Sequence, residues 1–173
     1  EGQPDILLVP GADASRVEAL VELLRLQGIQ VERAARAFRV DAQPHGGFAP
    51  RREFPAGTYR VPARQPRGRL ATTLLQAETR LDATYSYDVS AWSLPYAYGV
   101  EAHTVDRVPN AGWQRIDTVR PVATGDVELD KASEPYGYLV APSFSAWPAM
   151  VDFLEAGGRA IVLEKAFTLG GRA

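Results

Sequence analysis

The sequence predicts an α/β domain built on a parallel sheet, because one strand–helix–strand pattern occurs at both ends of the chain. In the first copy, Ile6-Leu7-Leu8-Val9-Pro10 leads through a short loop to Ser15. Val17, Leu20, Val21 and Leu24 then recur at helical spacing, and Gly28 closes the segment. In the second copy, Tyr138-Leu139-Val140-Ala141-Pro142 leads to Ser145, then to Trp147, Met150, Val151 and Leu154, with Gly158 at the end. The i, i+3, i+4, i+7 spacing puts each set of four on one stripe, so each stripe is expected to lie against something apolar. A strand is expected after each helix, ending in Ala37-Phe38 and in Ala166-Phe167. Strands that alternate with helices favour parallel pairing.

The elements follow in order. Ser15 and Glu18 have the spacing of a capping box at the start of the first helix, and Gly28 suits the left-handed turn at its end. Residues 41–53, with Gln43-Pro44-His45-Gly46-Gly47-Phe48-Ala49-Pro50 at their centre, read as a loop, and His45 as a solvated residue within it. Gly57 to Val61 alternates like a short strand stopped by Pro62. Arg69 to Glu78 reads as a helix with Leu70 and Leu74 on one side. Asp88 is placed to cap a short turn over Ser90 to Leu94, broken by Pro95. Val100 to Val105 reads as a strand, Gly112 to Val119 as a weaker one, and 121–135 as a loop. Ser145 is the expected N-cap of a helix over Ala146 to Ala156, with Pro148 in its first turn, where the missing N–H is not needed. Composition does not shift sharply anywhere, so residues 1–173 are expected to form a single domain.

With 173 residues the chain is long enough for one ordinary core. Its 19 basic and 21 acidic residues leave a net charge of −2, which does not steer the surface as a whole toward nucleic acid or anionic lipid. There is no cysteine, which removes disulfides, thiolate metal sites and cysteine nucleophiles. The apolar runs fall far short of the roughly 20 residues a membrane helix needs. Glu1 is not an initiator methionine and Gly170-Gly171-Arg172-Ala173 follows a strand-like stretch, so the chain is expected to be a piece of a larger protein.

Candidate chemistry is sparse. His103 and Asp106 have an H-x-x-D spacing, but on a strand those positions face opposite ways, and no third ligand completes a metal site. Pro142-Ser143-Phe144-Ser145-Ala146 lacks the glycines of a nucleophile elbow, and Ser145 is better explained as a cap. The loop Pro10-Gly11-Ala12-Asp13-Ala14-Ser15 joins a strand to a helix start, yet it has one glycine and an acidic residue where a phosphate loop needs neither limitation. Arg51, Arg52, Arg60, Arg64, Arg67 and Arg69 surround Phe54 and Tyr59 and read as a solvated or interdomain face rather than a nucleic-acid surface. Trp92, Tyr96 and Tyr98 flank Leu94-Pro95 and suit either buried packing or a stacking surface for a sugar or peptide.

Three segments are distinctive beyond composition: Phe54 to Pro66 with Arg69-Leu70-Ala71 and Leu74-Leu75; Tyr87 to Val100; and Glu164 to Arg172. Together they resemble a region downstream of the peptidase domain in bacterial zinc carboxypeptidases of the carboxypeptidase A-like family. The resemblance implies a class I glutamine amidotransferase-like, flavodoxin-like three-layer domain with a parallel sheet. True amidotransferases use a cysteine nucleophile, which this chain lacks, so glutamine hydrolysis is excluded. The family's zinc site needs an H-x-x-E pair, whereas His45 precedes Phe48 and His103 precedes Asp106 at that spacing, so no catalytic or metal residue carries over.

What the resemblance implies is a non-catalytic accessory domain, without a cofactor of its own. Zinc would reside in the catalytic domain of a parent that hydrolyses C-terminal peptide bonds. The implied partner is the upstream peptidase domain of the same chain, with a peptide or cell-wall ligand as a further one and an extracytoplasmic location. The alternative is a peptide- or glycan-binding module, with Trp92, Tyr96, Tyr98 and Ser143 as candidate ligand-binding residues. By analogy with parallel α/β folds, a residual site is expected near Pro10 to Ser15 or Pro142 to Ser145. A third possibility is a purely structural domain, which predicts an exposed apolar patch on the chain when it stands alone.

Overall fold

Ile6, Leu7, Leu8 and Val9 give a strand no polar side, and all four are buried. This strand, β1 (Asp5–Val9), lies at the centre of a six-stranded sheet in a computed structural model that describes residues 3–78, 93–118, 137–140, 143–144, 146–163 and 165. The remaining strands are β2 (Glu32–Arg33), β4 (Gln43–Pro44), β6 (Tyr59–Val61), β7 (Glu101–Val105) and β8 (Gln114–Arg115), in the order β4-β7-β1-β6-β2-β8. A second, two-stranded sheet pairs β3 (Phe38–Arg39) with β5 (Glu53–Phe54). The chain divides into two compact units, Glu1–Val127 and Glu128–Ala173, and both sheets belong to the first.

Every strand pairing is antiparallel among the described residues. The predicted parallel, flavodoxin-like amidotransferase fold is therefore wrong, and the reason is specific. β1 and β2 do run in the same direction, as a strand–helix–strand unit suggests, but β6 runs antiparallel between them and pairs with both. The result is a split unit rather than two adjacent parallel strands. Arg60 on β6 fits that slot: its Nε lies 2.7 Å from Asp5 Oδ2, and its Nη1 lies 3.1 Å from Glu32 Oε2. An acidic residue on each neighbouring strand thus accepts from the arginine between them.

Both faces of the sheet are covered, which is why β1 reads as a continuous apolar run rather than an alternating one. On one face, Ile6, Leu8, Tyr59, Val61 and Ala102 pack with Val17, Leu20, Val21 and Leu24 of α1 (Ala14–Leu26) and Ala71 and Leu75 of α2 (Gly68–Leu75). On the other, Leu7, Val9 and Val105 pack with Phe38 and Phe54 of the small sheet. There the Phe38 ring stacks on Phe54 at 5.2 Å and meets Trp113 edge-on at 5.2 Å.

Several local expectations change. The cap of α1 is Asp13, whose carboxylate accepts from the Ser15 amide at 3.2 Å, and the helix begins one residue before Ser15. On α2 the buried positions are Gly68, Ala71 and Leu75, while Leu70 and Leu74 are only partly covered. Pro95 starts rather than breaks a helix, lying in the first turn of α3 (Leu94–Tyr98), where its missing N–H has no helical acceptor. The segment read as loop over 41–53 supplies an edge strand, β4, and His45 is buried at 1 % exposure instead of solvated. Asp88 and residues 90–92 of the turn expected over Ser90 to Leu94, the segment 121–135 and the strand ending at Ala166-Phe167 lie outside the described residues.

In the second unit, α4 (Ala146–Glu155) forms where the spacing predicts it. Its end repeats the end of α1. Gly28 and Gly157 take φ of +74° and +85°, and Ile29 N–H donates to Leu24 C=O at 3.0 Å just as Gly158 N–H donates to Phe153 C=O at 2.9 Å. Both are Schellman turns, which need a residue without a Cβ penalty in the left-handed region. Burial differs completely. Val17, Leu20, Val21 and Leu24 are at most 1 % exposed, whereas Trp147, Val151 and Leu154 are 59 %, 49 % and 46 % exposed. The α4 stripe has no core beneath it among the described residues, contrary to the expectation that both stripes would be covered.

Candidate functional site

Among the described residues of the first unit, a crevice of about 260 Å³ lies at the carboxyl end of β1, where the chain turns into α1. Val9, Val17 and Val100 give it apolar walls; Asp13, Arg16 and Glu101 bring charge, and Phe48 closes one side. The sheet register explains how these come together. Val9 pairs with Glu101 across β1 and β7, so the end of β1, the start of α1 and the start of β7 meet at one corner.

Each charged group at the crevice is held by a partner. Asp13 accepts from Ser15 and pairs with Arg16 Nε at 3.3 Å, so the acidic residue that caps α1 also orients the guanidinium. Arg16 Nη1 donates to Tyr98 C=O at 3.3 Å, which ties α1 to the end of α3. Glu101 receives a two-pronged contact from Arg51, Nε to Oε1 at 2.7 Å and Nη2 to Oε2 at 3.1 Å. His103 Nε2 also donates to Glu101 Oε1, at 2.9 Å; a carboxylate only accepts, so the proton sits on that nitrogen. Burial pushes the Glu101 carboxyl up, but the hydrogen bonds from His103 and Arg51, with the Arg51 charge, outweigh it and hold the group below the usual carboxylate range. Two acids and two bases thus compensate one another, leaving a cleft with polar edges and no net charge.

The aromatic side of the crevice is built on the 44–48 turn. Phe48 lies nearly parallel to Tyr96 at 6.5 Å, and Tyr96 meets the edge of His45 at 6.5 Å. His45 N–H donates to Ala102 C=O at 3.0 Å, and Phe48 N–H donates to His45 C=O at 3.2 Å. His45 Nε2 lies 3.1 Å from Thr104 Oγ1 in a hydrogen bond, and its Nδ1 has no partner among the described residues. Burial, and then the neighbouring His103, lower the His45 pKa to about 4. A polar, neutral group of a ligand would find an aromatic wall on one side and paired charges on the other.

The four candidate ligand residues do not form one surface. Trp92 lies outside the described residues. Tyr96 is exposed at 41 % and belongs to the aromatic side of the crevice through Phe48. Tyr98, two positions on, packs partly against the helix-side core. Ser143 belongs to the second unit, where its Oγ accepts from Ala146 N–H at 3.1 Å and caps α4; Ser145, the expected cap, lies outside the described residues. The expected arginine face is also divided: Arg51 pairs with Glu101, Arg52 with Asp41 at 2.9 Å, and Arg60 with Asp5 and Glu32. No group of three or more His, Asp or Glu side chains is placed to hold a metal ion among the described residues.

Phe48, Arg16 and Glu101 were not singled out from the sequence. The strand-to-helix junction at Pro10 to Ser15 lies at the same corner of the sheet as the crevice, but nothing local links Phe48 or Glu101 to it. The second unit offers a different kind of candidate surface. Besides the α4 stripe, Leu139, Val140, Phe144, Ile161, Val162 and Leu163 are all exposed, Val162 at 86 %. No family model matches this sequence, and neither a curated protein nor a solved structure matches it.

Proposed function

We propose that the chain is a non-catalytic accessory domain of a larger zinc carboxypeptidase-like metallopeptidase, held to the upstream peptidase domain through the apolar surface of its second unit. The observation that carries this reading is the α4 stripe: Trp147, Val151 and Leu154 recur at core spacing and yet face solvent. Monomeric soluble proteins rarely expose large contiguous apolar patches, and those that occur usually mark an interaction site. The exposed stripe supplies the need for a partner, and the resemblance of residues 54–66, 87–100 and 164–172 supplies its identity. Zinc and the hydrolysis of C-terminal peptide bonds belong on this reading to the peptidase domain, in an extracytoplasmic setting.

The test is a triple substitution, Trp147→Ser, Val151→Ser and Leu154→Ser, placed in the chain that carries the peptidase domain. It is expected to lower the thermal midpoint or peptidase activity of that protein as much as deleting residues 1–173. For the chain on its own, concentration-dependent association is the expected result in sedimentation, and the same substitutions should suppress it. A parent protein unaffected by the triple variant would remove the docking role.

A second reading, a peptide- or glycan-binding module, is favoured by the Phe48–Tyr96 pair, of which Phe48 lines the crevice. An aromatic pair of this kind contributes on the order of 1 kcal/mol beyond its burial. Tyr96→Ala is therefore expected to weaken binding of a short peptide or cell-wall glycan by about fivefold in an NMR titration. If neither probe perturbs the Phe48 and Tyr96 resonances of the wild-type chain, the module reading fails.

A further inference from the structure

We propose that His45 is an acid-sensitive latch that holds the aromatic side of the crevice in place and releases it when the imidazole is protonated. The inference concerns the fold and is independent of what the crevice binds or what covers the second unit.

The geometry of the 44–48 turn carries it. β4 is an edge strand of two residues, one of them Pro44, which has no N–H to give the sheet. Beyond that pair, the turn is secured to β7 by the His45 amide on Ala102 C=O and by the imidazole on Thr104 Oγ1. The ring is buried, and Nδ1 is without a partner among the described residues. A neutral ring can leave Nδ1 as a bare lone pair, but an imidazolium carries a proton on both nitrogens and needs an acceptor for each.

Among the described residues, the groups that face the ring do not provide that second acceptor. From β7 come Thr104, already engaged at Nε2, and His103, whose own Nε2 proton is committed to Glu101. From α3 comes the Tyr96 ring, edge-on. The Arg51–Glu101 pair reaches His103 rather than His45, since Glu101 and His103 share the opposite face of β7 from Thr104. A buried charge without a partner is strongly disfavoured, so protonation drives the ring to water. The ring reaches water by detachment of the turn from β7. Because β4 is an edge, the turn can leave without disturbing the β7–β1–β6 pairings. Phe48 travels with the turn, and the crevice loses its closed side.

Hydrogen exchange by NMR tests this on the intact chain. As pH falls from neutral, protection of the His45 and Phe48 amides, corrected for intrinsic rates, is expected to drop by up to tenfold per pH unit below 6.5 while β1 and β7 amides stay protected. In His45→Gln, which keeps a group near the Nε2 position but does not titrate, the local loss should vanish. The proposal is overturned if the turn and the β1–β7 amides lose protection together, or if His45→Gln opens along the same pH profile. Should that variant not fold, the wild type decides alone, since the chain has only two histidines to assign. The His45 ring must then titrate while β1 remains protected, and a ring that stays neutral until the whole unit unfolds overturns the latch.

Discussion

Leu24→Ala is expected to destabilise the first unit by about 2–5 kcal/mol, whereas Leu154→Ala, at the matching position of the second copy, should change stability by less than about 0.5 kcal/mol in the same chain. Leu24 is wholly buried between α1 and the sheet and also makes the apolar contact of the Schellman turn, opposite Ile29. Truncating it removes transfer energy and leaves a cavity that the sheet closes only in part. Leu154 is 46 % exposed, so truncation removes little buried area, and alanine favours the helix slightly more. Urea denaturation of the two variants is the measurement. A cost for Leu154→Ala comparable to that of Leu24→Ala would mean that the α4 stripe is already covered in the free chain, and the docking proposal would lose its basis. Repeated with the peptidase domain present, the same pair is expected to converge, because Leu154 would then be buried as well.

Acid should destabilise the first unit by up to about 3 kcal/mol through His45 alone. The folded pKa is lowered to about 4, below the ordinary value of 6.5, so between those values the unfolded chain binds more protons than the folded one. Stability from this group is therefore complete above pH 6.5 and declines as pH falls toward 4. His45→Gln removes the titration, and its stability curve is expected to be flatter than the wild type's across that window. Urea midpoints from pH 7 to 4 give the comparison. A wild-type curve no steeper than that of His45→Gln would sink the assignment. If the 44–48 turn releases first, the ring titrates in the partly open state, and the wild-type loss levels off at the free energy of that opening. The level of that plateau then measures how firmly the latch is held, a looser latch falling further short of about 3 kcal/mol.

The candidate site was legible only as a place. Pro10 to Ser15 lies between an apolar run and a helical stripe, and such a junction sits at a strand's carboxyl end wherever that strand is placed. Arg16 and Asp13 lie within or beside that junction, but their pairing was hidden by the more familiar Ser15–Glu18 spacing. Glu101 reaches the crevice only through the β1–β7 register, and Phe48 only through the burial of His45. A loop rich in glycine and proline gives no local sign that its histidine is buried, because the cover comes from Thr104 and Tyr96 far along the chain.

What the sequence by itself determined is the set of local elements: β1, α1, β6, β7 and α4, with a glycine turn closing each long helix. These depend on apolar period, capping groups and backbone freedom within a few residues, so they can be read without knowing the fold. Only the tertiary structure decided which strand lies beside which. The strand–helix–strand pattern constrains β1 and β2 to one direction but says nothing of a third strand between them. That place went to β6, whose Arg60 finds Asp5 on one side and Glu32 on the other. The two helical stripes make the same point in energetic terms. Periodicity shows that a helix has an apolar side, and the burial of that side depends on what the rest of the chain, or a partner, brings against it.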